Sequence, residues 1–330
     1  MTQFKEITLH KFYEAKRRID ALIQQTPLVP SAHLSAKWDK DISLKLENLQ
    51  PTGAFKLRGA ANAILSLTPE EQKRGVITVS TGNHGNAIAY VAKKLGIPAT
   101  VYISDLVPEL KVQAMKTLGA EVKVVGKDQD EATKEALLVA EKQGLRFISA
   151  FDDPDVIAGQ GTVALEILTQ NPTVDTLVVP VSGGGLMAGI AFVIKSIAPH
   201  IRVVGVTNDQ EPAIYNSVQA GHIVQVGEAE TLADALSGPI SEDNQYTFEM
   251  CRQYVDEFTL VSETQIAEAM VHALYTEKQV LEGGGAVTLA LLLSDNAPQL
   301  GENIVAVCSG NSVSVRKIVS LEGQHKSLTK

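Results

Sequence analysis

The sequence predicts an α/β fold with two doubly wound open sheets, and three observations support this class. Short β-branched runs recur along the 330 residues, amphipathic helix-like segments lie between them, and the runs are continuously apolar instead of alternating. Strands of this kind, separated by helices, are typical of parallel sheets that are covered on both faces.

Six strands are predicted where β-branched residues cluster, and helices are predicted in the intervals. The strands are VITVS (76–80), ATVYIS (99–104), EVKVVG (121–126), TLVVPV (176–181), RVVGVT (202–207) and IVAVCS (304–309). The helices include NAIAYVAKKLG, ELKVQAMKTLG, DEATKEALLVAEKQG and LMAGIAFVIKSI. One series spans about 75–150 and a second starts near 175, so we expect two sheets with a cleft between them. In such sheets ligands bind beyond the carboxyl ends of the strands.

Composition limits the partners and the compartment. The chain has 29 Lys and Arg against 38 Asp and Glu, so nucleic acid and anionic membrane are poor partners. Cys251 and Cys308 are too few for a disulfide framework, and the N-terminus has no apolar signal core, which together predict the cytoplasm. The uncharged stretch 176–194 is long enough for a membrane span, but Pro180 and a glycine run interrupt it. We therefore predict a buried strand, a loop and a helix there.

The loop SGGGL, Ser182 to Leu186, follows one predicted strand and precedes an apolar helix. Successive glycines let backbone N–H groups converge, and a helix N-terminus adds partial positive charge, so the loop suits a phosphate. Its spacing matches neither the P-loop nor the dinucleotide fingerprint, which leaves a small phosphorylated cofactor or substrate. A tight strand-to-helix turn without a ligand is the alternative.

The loop TGNHGNA, Thr81 to Ala87, opens another helix. Its N–H groups could hold a carboxylate, and Asn83 offers an amide donor to a ring oxygen. His84 is the obvious candidate catalyst, but it has no partner at metal-ligand spacing in the sequence, and we interpret it as structural. An Asn-Gly turn selected for its backbone conformation is the alternative for the whole loop.

Three further residues are candidates for chemistry. Lys56 in PTGAFKLRGA lies between Phe55 and Leu57 with a glycine on either side, an apolar setting with flexible backbone that suggests close approach to a ligand. Ser309 follows a predicted strand, and Glu282 in LEGGGA is either a site acid or an exposed helix cap. The lysine, the glycine loop, the Asn-bearing loop and the serine match the aldehyde, phosphate, phenolic oxygen and pyridine nitrogen of pyridoxal phosphate.

In this order and at these separations, PTGAFKLRGA, STGNHGNA, SGGGLMAG, LEGGGA and CSGN resemble the fold-type II pyridoxal-phosphate family, in its serine/threonine dehydratase and serine racemase branch. The similarity spans about 15–315, and QPTGAFKLRGA, STGNHG and TLADALSGPI are most similar to dehydratases associated with hydroxyectoine breakdown. The resemblance implies a tryptophan synthase beta-like fold. A large cofactor-binding domain would comprise 1–50 and 150–330, a smaller mobile domain 75–149, with 51–74 and the cofactor at the cleft.

The resemblance also implies a role for each matching residue. Lys56 would form the Schiff base and act as acid and base at the substrate Cα, while Phe55 flanks the ring and Asn83 bonds the phenolic oxygen. The phosphate would rest on the glycine loop and Ser309 would meet the pyridine nitrogen. The implied cofactor-binding residues are Phe55, Lys56, Asn83, Gly183, Gly184, Gly185, Leu186 and Ser309. The implied substrate-carboxylate loop is Ser80, Thr81, Gly82, Asn83 and His84.

Departures from the family pattern modify these expectations. Ala54 stands where a serine is common, and SGNSVS replaces the usual SGGNxD. Thr81 stands where racemases carry the serine that is their second proton carrier, which argues against racemisation. Thr207 ends the strand where many relatives have a glutamate of a cation site, so we predict no bound metal, although Asp209 and Glu211 lie nearby in sequence.

These residues predict a pyridoxal-phosphate-dependent lyase. Desolvation beside Phe55 favours an uncharged Lys56 amine near neutral pH. A serine at the pyridine nitrogen makes the ring a weaker electron sink, which favours prompt loss of water from threonine, serine or a hydroxyectoine-derived analogue, giving a 2-oxo acid and ammonia. A racemase or β-replacement synthase, and a non-catalytic ligand-binding regulator, are the alternatives. The resemblance further implies a homodimer or higher homo-oligomer, and the short remainder after the last strand predicts no effector domain.

Overall fold

The chain forms two compact units, each built on one sheet. The computed structural model describes residues 4–80, 82–105, 109–227, 229–294 and 297–324. Residues 1–24 and 56–160 form what we term the four-stranded unit, and residues 25–55 and 161–330 form the six-stranded unit. The two sheets that the sequence predicts are therefore confirmed.

The described residues contain strands and helices in alternation over most of the chain. The strands are β1 Leu28–Pro30, β2 Asp41–Leu46, β3 Val76–Val79, β4 Ala99–Ile103, β5 Glu121–Val124, β6 Arg146–Phe147, β7 Thr176–Pro180, β8 Arg202–Asn208, β9 Glu257–Val261 and β10 Asn303–Cys308. The helices are α1 Leu9–Ile19, α2 Ala32–Trp38, α3 Lys56–Leu65, α4 Pro69–Arg74, α5 Asn83–Leu95, α6 Glu109–Thr117, α7 Gln129–Gln143, α8 Pro154–Gln170, α9 Gly185–Ile197, α10 Ala213–Ala220, α11 Thr247–Tyr254, α12 Glu263–Tyr275, α13 Gly283–Leu293 and α14 Val315–Gln324.

The four-stranded unit has a parallel sheet in the order β5-β4-β3-β6. Helices α3 and α5 pack on one face through a cluster that includes Val76, and α7 packs on the other through a cluster that includes Ile77. Every residue of β3 is buried as a result, which explains why its sequence is continuously apolar. The chain leaves β3 at Ser80 and enters α5 at Asn83.

The six-stranded unit has a sheet in the order β1-β2-β10-β7-β8-β9, parallel except for the β1–β2 pair. Helices α12 and α13 pack on one face, while Met187 of α9 contacts Gly205 on the other. Because β10 and β7 are neighbours, the turns that follow them lie at the same edge of the sheet. These are the turns at Ser309 and at Gly183–Gly185.

All six predicted strands and the four quoted helices are confirmed within one to three residues of their ends. The uncharged stretch forms β7, a turn and α9, as predicted, and among the described residues no helix is both long and apolar enough to cross a membrane. The strands that sequence analysis missed are β1, β2, β6 and β9. Of these, β2 carries alternating polar residues, and β1, β6 and β9 lie at sheet edges, where the apolar signal is weak. The sequence analysis also predicts that one domain binds the cofactor and that the other is mobile. Both assignments stay predictions.

Candidate active site

Lys56 is the first residue of α3 in the four-stranded unit. Its side chain is half-buried, and its Nζ donates a hydrogen bond of 2.7 Å to the carbonyl oxygen of Ala150. The next residue, Leu57, is fully buried in the core of the same unit. The amine is thus held by a neutral acceptor.

The two glycines near Lys56 have different roles. Gly53 adopts φ +76°, a left-handed conformation that favours glycine. Gly59 lies inside α3, where a Cβ atom would approach Gln160 Nε2 to 2.4 Å, and a Cβ at Gly159 would approach the Arg58 carbonyl oxygen to 2.5 Å. Gly59 therefore permits close packing of α3 against α8, and the expected flexible backbone on that side of the lysine is wrong.

The loop between β3 and α5 is built as a helix entrance. Ser80 is buried at the end of β3, and its Oγ accepts a hydrogen bond from the Gly82 N–H at 3.3 Å. Gly82 is the N-cap of α5 and has no side chain to accept from the first-turn N–H groups, the first of which belongs to Asn83. Thr81, predicted to bind the substrate carboxylate, lies outside the described residues.

His84 lies in the first turn of α5 and is only 2% exposed. Its Nε2 lies 3.3 Å from the Ile148 carbonyl oxygen, while its Nδ1 has no hydrogen-bond partner within the described parts of the chain. Burial lowers the pKa of His84 to about 3, and the charge of nearby Lys56 acts in the same direction. His84 is therefore a neutral imidazole at neutral pH.

The backbone acceptors of these two side chains were not found by sequence analysis. Ile148 and Ala150 follow the two-residue strand β6, and both act through carbonyl oxygens. Every residue type offers a carbonyl, so no sequence signal could have identified them.

In the six-stranded unit, the turn after β7 is the predicted phosphate loop. Gly184 is the N-cap of α9 with φ +91°, and no side chain caps the helix. Among the described residues, no backbone carbonyl outside α9 accepts a hydrogen bond from the N–H groups of Gly183, Gly185 or Leu186. These donors stand at the positive end of an apolar helix, which is the arrangement that binds anions.

Side chains of α11 pack against the backbone of Gly184. A Cβ atom on Gly184 would lie 2.9 Å from Thr247 Cβ and 3.2 Å from Cys251 Sγ. Both supporting side chains are fully buried. Sequence analysis missed them because they lie more than sixty residues away along the chain and belong to a different helix.

Ser309 comes directly after β10, the strand that pairs with β7, and is 5% exposed. Its Oγ donates to the Gly284 carbonyl oxygen at 3.3 Å, and its own carbonyl oxygen accepts from the Phe55 N–H at 3.1 Å. Ala54 forms an isolated antiparallel bridge with Gly310. The segment that leads to Lys56 is therefore hydrogen-bonded to the end of β10.

Sequence analysis interprets Glu282 as either a site acid or an exposed helix cap, and the structure excludes the exposed cap. It is 4% exposed, and although it occupies the N-cap position of α13, its side chain does not cap the helix. Its Oε1 would lie 2.1 Å from a Cβ on Gly310, so the carboxylate lies against that glycine. Cβ atoms on Gly283 and Gly285 would lie 2.1 Å and 2.4 Å from the carbonyl oxygens of Leu232 and Gly310. The second glycine cluster serves close packing.

The end of β8 is where the family resemblance implies a cation site. Thr207 is buried, and its hydroxyl donates to Asn208 Oδ1 at 3.3 Å. Among the residues that the structure describes, no group of three or more His, Cys, Asp and Glu side chains is arranged to hold a metal ion. The absence of a bound metal at Asp209 and Glu211 stays a prediction.

Comparison with known proteins identifies the family. Residues 19–310 match the family described as pyridoxal-phosphate dependent enzyme, and the chain belongs to it. The chain is thus an enzyme whose cofactor is pyridoxal phosphate. It is 43% identical over 305 residues to the L-threonine ammonia-lyase of Geobacter sulfurreducens, a match that covers 92% of this chain and 75% of that protein.

Solved structures confirm the predicted fold. Maize serine racemase is 33% identical with a TM-score of 0.90, and 98% of each chain is covered. The processed form of threonine deaminase isoform 2 from Solanum lycopersicum is 34% identical with a TM-score of 0.85, covering 95% of this chain and 94% of that one. The predicted dehydratase and racemase branch is therefore confirmed.

The residues present fit pyridoxal phosphate. The amine of Lys56 is held by the neutral carbonyl of Ala150. The N–H groups at the start of α9 are available to a phosphate, in a backbone conformation that only glycine adopts readily. Ser309 offers a neutral hydroxyl at the neighbouring strand end. The amine in the four-stranded unit, and the N–H cradle and hydroxyl in the six-stranded unit, are each a kind of group that this cofactor requires.

Proposed function

We propose that the protein is an ammonia-lyase that removes water from a β-hydroxy amino acid and releases a 2-oxo acid and ammonia. The observation that carries this proposal is the Lys56 amine, hydrogen-bonded to a carbonyl and adjacent to a neutral His84. The names of the ammonia-lyase and threonine deaminase to which the chain is similar support the reaction class. L-threonine, L-serine and a hydroxyectoine-derived analogue are the proposed substrates.

Lys56 is the proposed catalytic residue, and its work is proton transfer at Nζ. When bound, pyridoxal phosphate supplies the electron sink for loss of the substrate Cα proton and the β-hydroxyl group. Lys56 would hold the cofactor covalently at rest and, once released, would take the Cα proton. The Ala150 carbonyl oxygen can accept a hydrogen bond from one N–H of the free Lys56 amine. This bond limits the directions in which the lone pair of Nζ can point.

Two helix N-termini are proposed to bind the anionic groups. The N–H groups at the start of α9, at Gly183–Gly185 and Leu186, would hold the cofactor phosphate. The loop Ser80–His84 at the start of α5 would hold the substrate carboxylate, with the Asn83 amide directed to the phenolic oxygen. Neither helix has a side-chain cap, so no N-cap side chain competes with a ligand for the donors of the first turn.

In the six-stranded unit, Ser309 is proposed to meet the pyridine nitrogen and Phe55 to flank the ring. A hydroxyl can donate or accept, so Ser309 holds the ring without adding a charge. Glu282, buried near Ser309 at the start of α13, is the proposed additional acid of the site.

A racemase or β-replacement synthase is the second candidate, and the similarity to maize serine racemase favours it. Against racemisation stands Thr81, since a threonine takes the place of the serine that the racemase pattern requires. A non-catalytic regulator, the third alternative from sequence, is no longer a candidate, because the chain belongs to a family of pyridoxal-phosphate dependent enzymes.

The decisive experiment is a substrate panel with the purified protein loaded with pyridoxal phosphate. We expect ammonia and 2-oxo acid from at least one of L-threonine, L-serine and hydroxylated diaminobutyrate derivatives. Chiral chromatography of the same reactions measures racemisation, and thiol acceptors measure β-replacement.

Lys56→Ala provides the control. We expect it to abolish both ammonia release and the absorbance of the lysine-linked cofactor. Enantiomer formation without ammonia would favour the racemase, and ammonia release that persists in Lys56→Ala would refute the role of the lysine.

A further inference from the structure

We propose that His84 is a positioning residue for the Lys56 amine and acts through the segment Ile148–Ala150. The inference rests on the proposed function of Lys56 and adds a partner to it. All of the groups involved belong to the four-stranded unit.

The segment is anchored before the carbonyl that holds the lysine. The Ile148 carbonyl oxygen accepts from Thr78 Oγ1 at 2.8 Å and lies 3.3 Å from His84 Nε2, and the Ile148 N–H donates to the Ile77 carbonyl oxygen at 2.9 Å. Two residues later, the Ala150 carbonyl oxygen accepts from Lys56 Nζ at 2.7 Å. Side chains of β3 and α5 therefore fix the backbone that presents the acceptor.

The segment is also anchored after that carbonyl. Ser149 Oγ accepts from the N–H groups of Phe151 and Asp152, at 3.4 Å and 3.1 Å. This side-chain turn closes the backbone around Ala150. The carbonyl at Ala150 is thus held from both sides, and a shift at Ile148 is transmitted to the position of the lysine amine.

The hydrogen bond defines the tautomer of His84. A carbonyl oxygen only accepts, so Nε2 carries the proton and Nδ1 is unprotonated. Burial supports the neutral form, since an imidazolium there would be desolvated and would repel a charged Lys56. His84 can therefore hold Ile148 without placing a second positive charge beside the amine.

The matched variants are His84→Met and His84→Gln. Glutamine places an amide N–H at the same number of bonds from Cβ as His84 Nε2, so it can still donate to Ile148, while methionine cannot. For the cofactor-free chain, we expect covalent attachment of pyridoxal phosphate to slow about tenfold in His84→Met, because small misplacements of a reacting group carry costs of this order or more. His84→Gln should stay within about twofold of the native rate.

Thr78→Val is an independent test on the other donor to the same carbonyl. It should slow attachment in the same direction, and the double variant Thr78→Val/His84→Met should be non-additive because both changes act on Ile148. Circular dichroism of each variant establishes that it folds. If His84→Met does not fold, Thr78→Val and His84→Gln carry the test.

A readout without cofactor separates the two proposals. Acetic anhydride labelling of Lys56, measured by mass spectrometry, should be faster in His84→Met than in the native chain, because the amine is held less firmly by the Ala150 carbonyl and this reagent requires no fixed orientation. Labelling should be unchanged in His84→Gln. Nitrogen NMR of labelled histidine should show His84 protonated at Nε2.

Native attachment and labelling rates in a folded His84→Met variant, or a proton on Nδ1, would overturn the positioning role while leaving the proposed lyase intact. Native protein that releases no ammonia, yet shows the expected variant differences in labelling, would refute the lyase and leave the positioning role standing.

Discussion

Two turns of this molecule join a parallel strand to a helix in the same way but present different groups. The turn from β3 to α5 contributes polar side chains to the protein interior, since Ser80 and His84 are both buried. The turn from β7 to α9 presents backbone, with Gly184 in a left-handed conformation at the helix start. Both helix N-termini suit anions, and the residues of the turn decide whether side chains or N–H groups complete the site.

Gly184→Ala should have the largest effect on either turn. A left-handed conformation costs a non-glycine residue about 1–2 kcal/mol, and the contact with Thr247 Cβ adds overpacking, so we expect a loss of about 3 kcal/mol in unfolding free energy. Urea denaturation of the cofactor-free chain measures it. The same change should weaken pyridoxal phosphate binding at least about tenfold, because it displaces the N–H donors. Native affinity in Gly184→Ala would show that this turn does not hold the phosphate.

His84 should make the stability of the protein fall as the pH is lowered from 7 to 5. The pKa of His84 is about 3 in the folded chain and about 6.5 when unfolded, so below pH 6.5 the unfolded chain binds a proton that the folded chain does not. The resulting loss is about 2 kcal/mol by pH 5.

Urea denaturation at both pH values checks this dependence. His84→Gln should lack this part of the pH dependence, while His10→Gln, a change at an exposed histidine, should retain it. An equal slope in the native chain and His84→Gln would mean that His84 titrates normally in the folded protein.

Much of the fold and part of the site could be predicted from sequence, for physical reasons. Buried parallel strands such as β3 are continuously apolar, and glycines at a strand-to-helix turn mark an N–H cradle, so both leave a local signal. The acceptor at Ala150 and the support at Cys251 leave none, because the first is a backbone carbonyl and the second is set by packing between helices distant in sequence. Gly59 leaves a signal that is ambiguous. Glycine is selected both where helices pack closely and where the backbone must be flexible, so the residue type alone did not reveal that Gly59 serves packing.

Cys251→Ala should have a smaller effect than Gly184→Ala. The thiol is fully buried, and burial raises its pKa, so it acts as a neutral packing group beneath Gly184. Removing the sulfur should cost about 1 kcal/mol of unfolding free energy. In the Gly184→Ala background the cost should be smaller, since the cavity relieves part of the crowding. Strict additivity in a double-mutant cycle would show that Cys251 does not support the turn.

Gly82→Ala should have the smallest effect and is the matched control for Gly184→Ala. Nothing lies within 4 Å of a Cβ atom placed on Gly82, and its φ of −151° lies outside the left-handed region in which Gly184 is found. We expect the unfolding free energy to change by no more than about 0.5 kcal/mol in urea denaturation. A loss comparable to that of Gly184→Ala would contradict the difference between the turns. If the substrate carboxylate binds at the start of α5, the added methyl group should raise KM while stability is retained, so a change in KM alone reports on that proposed site.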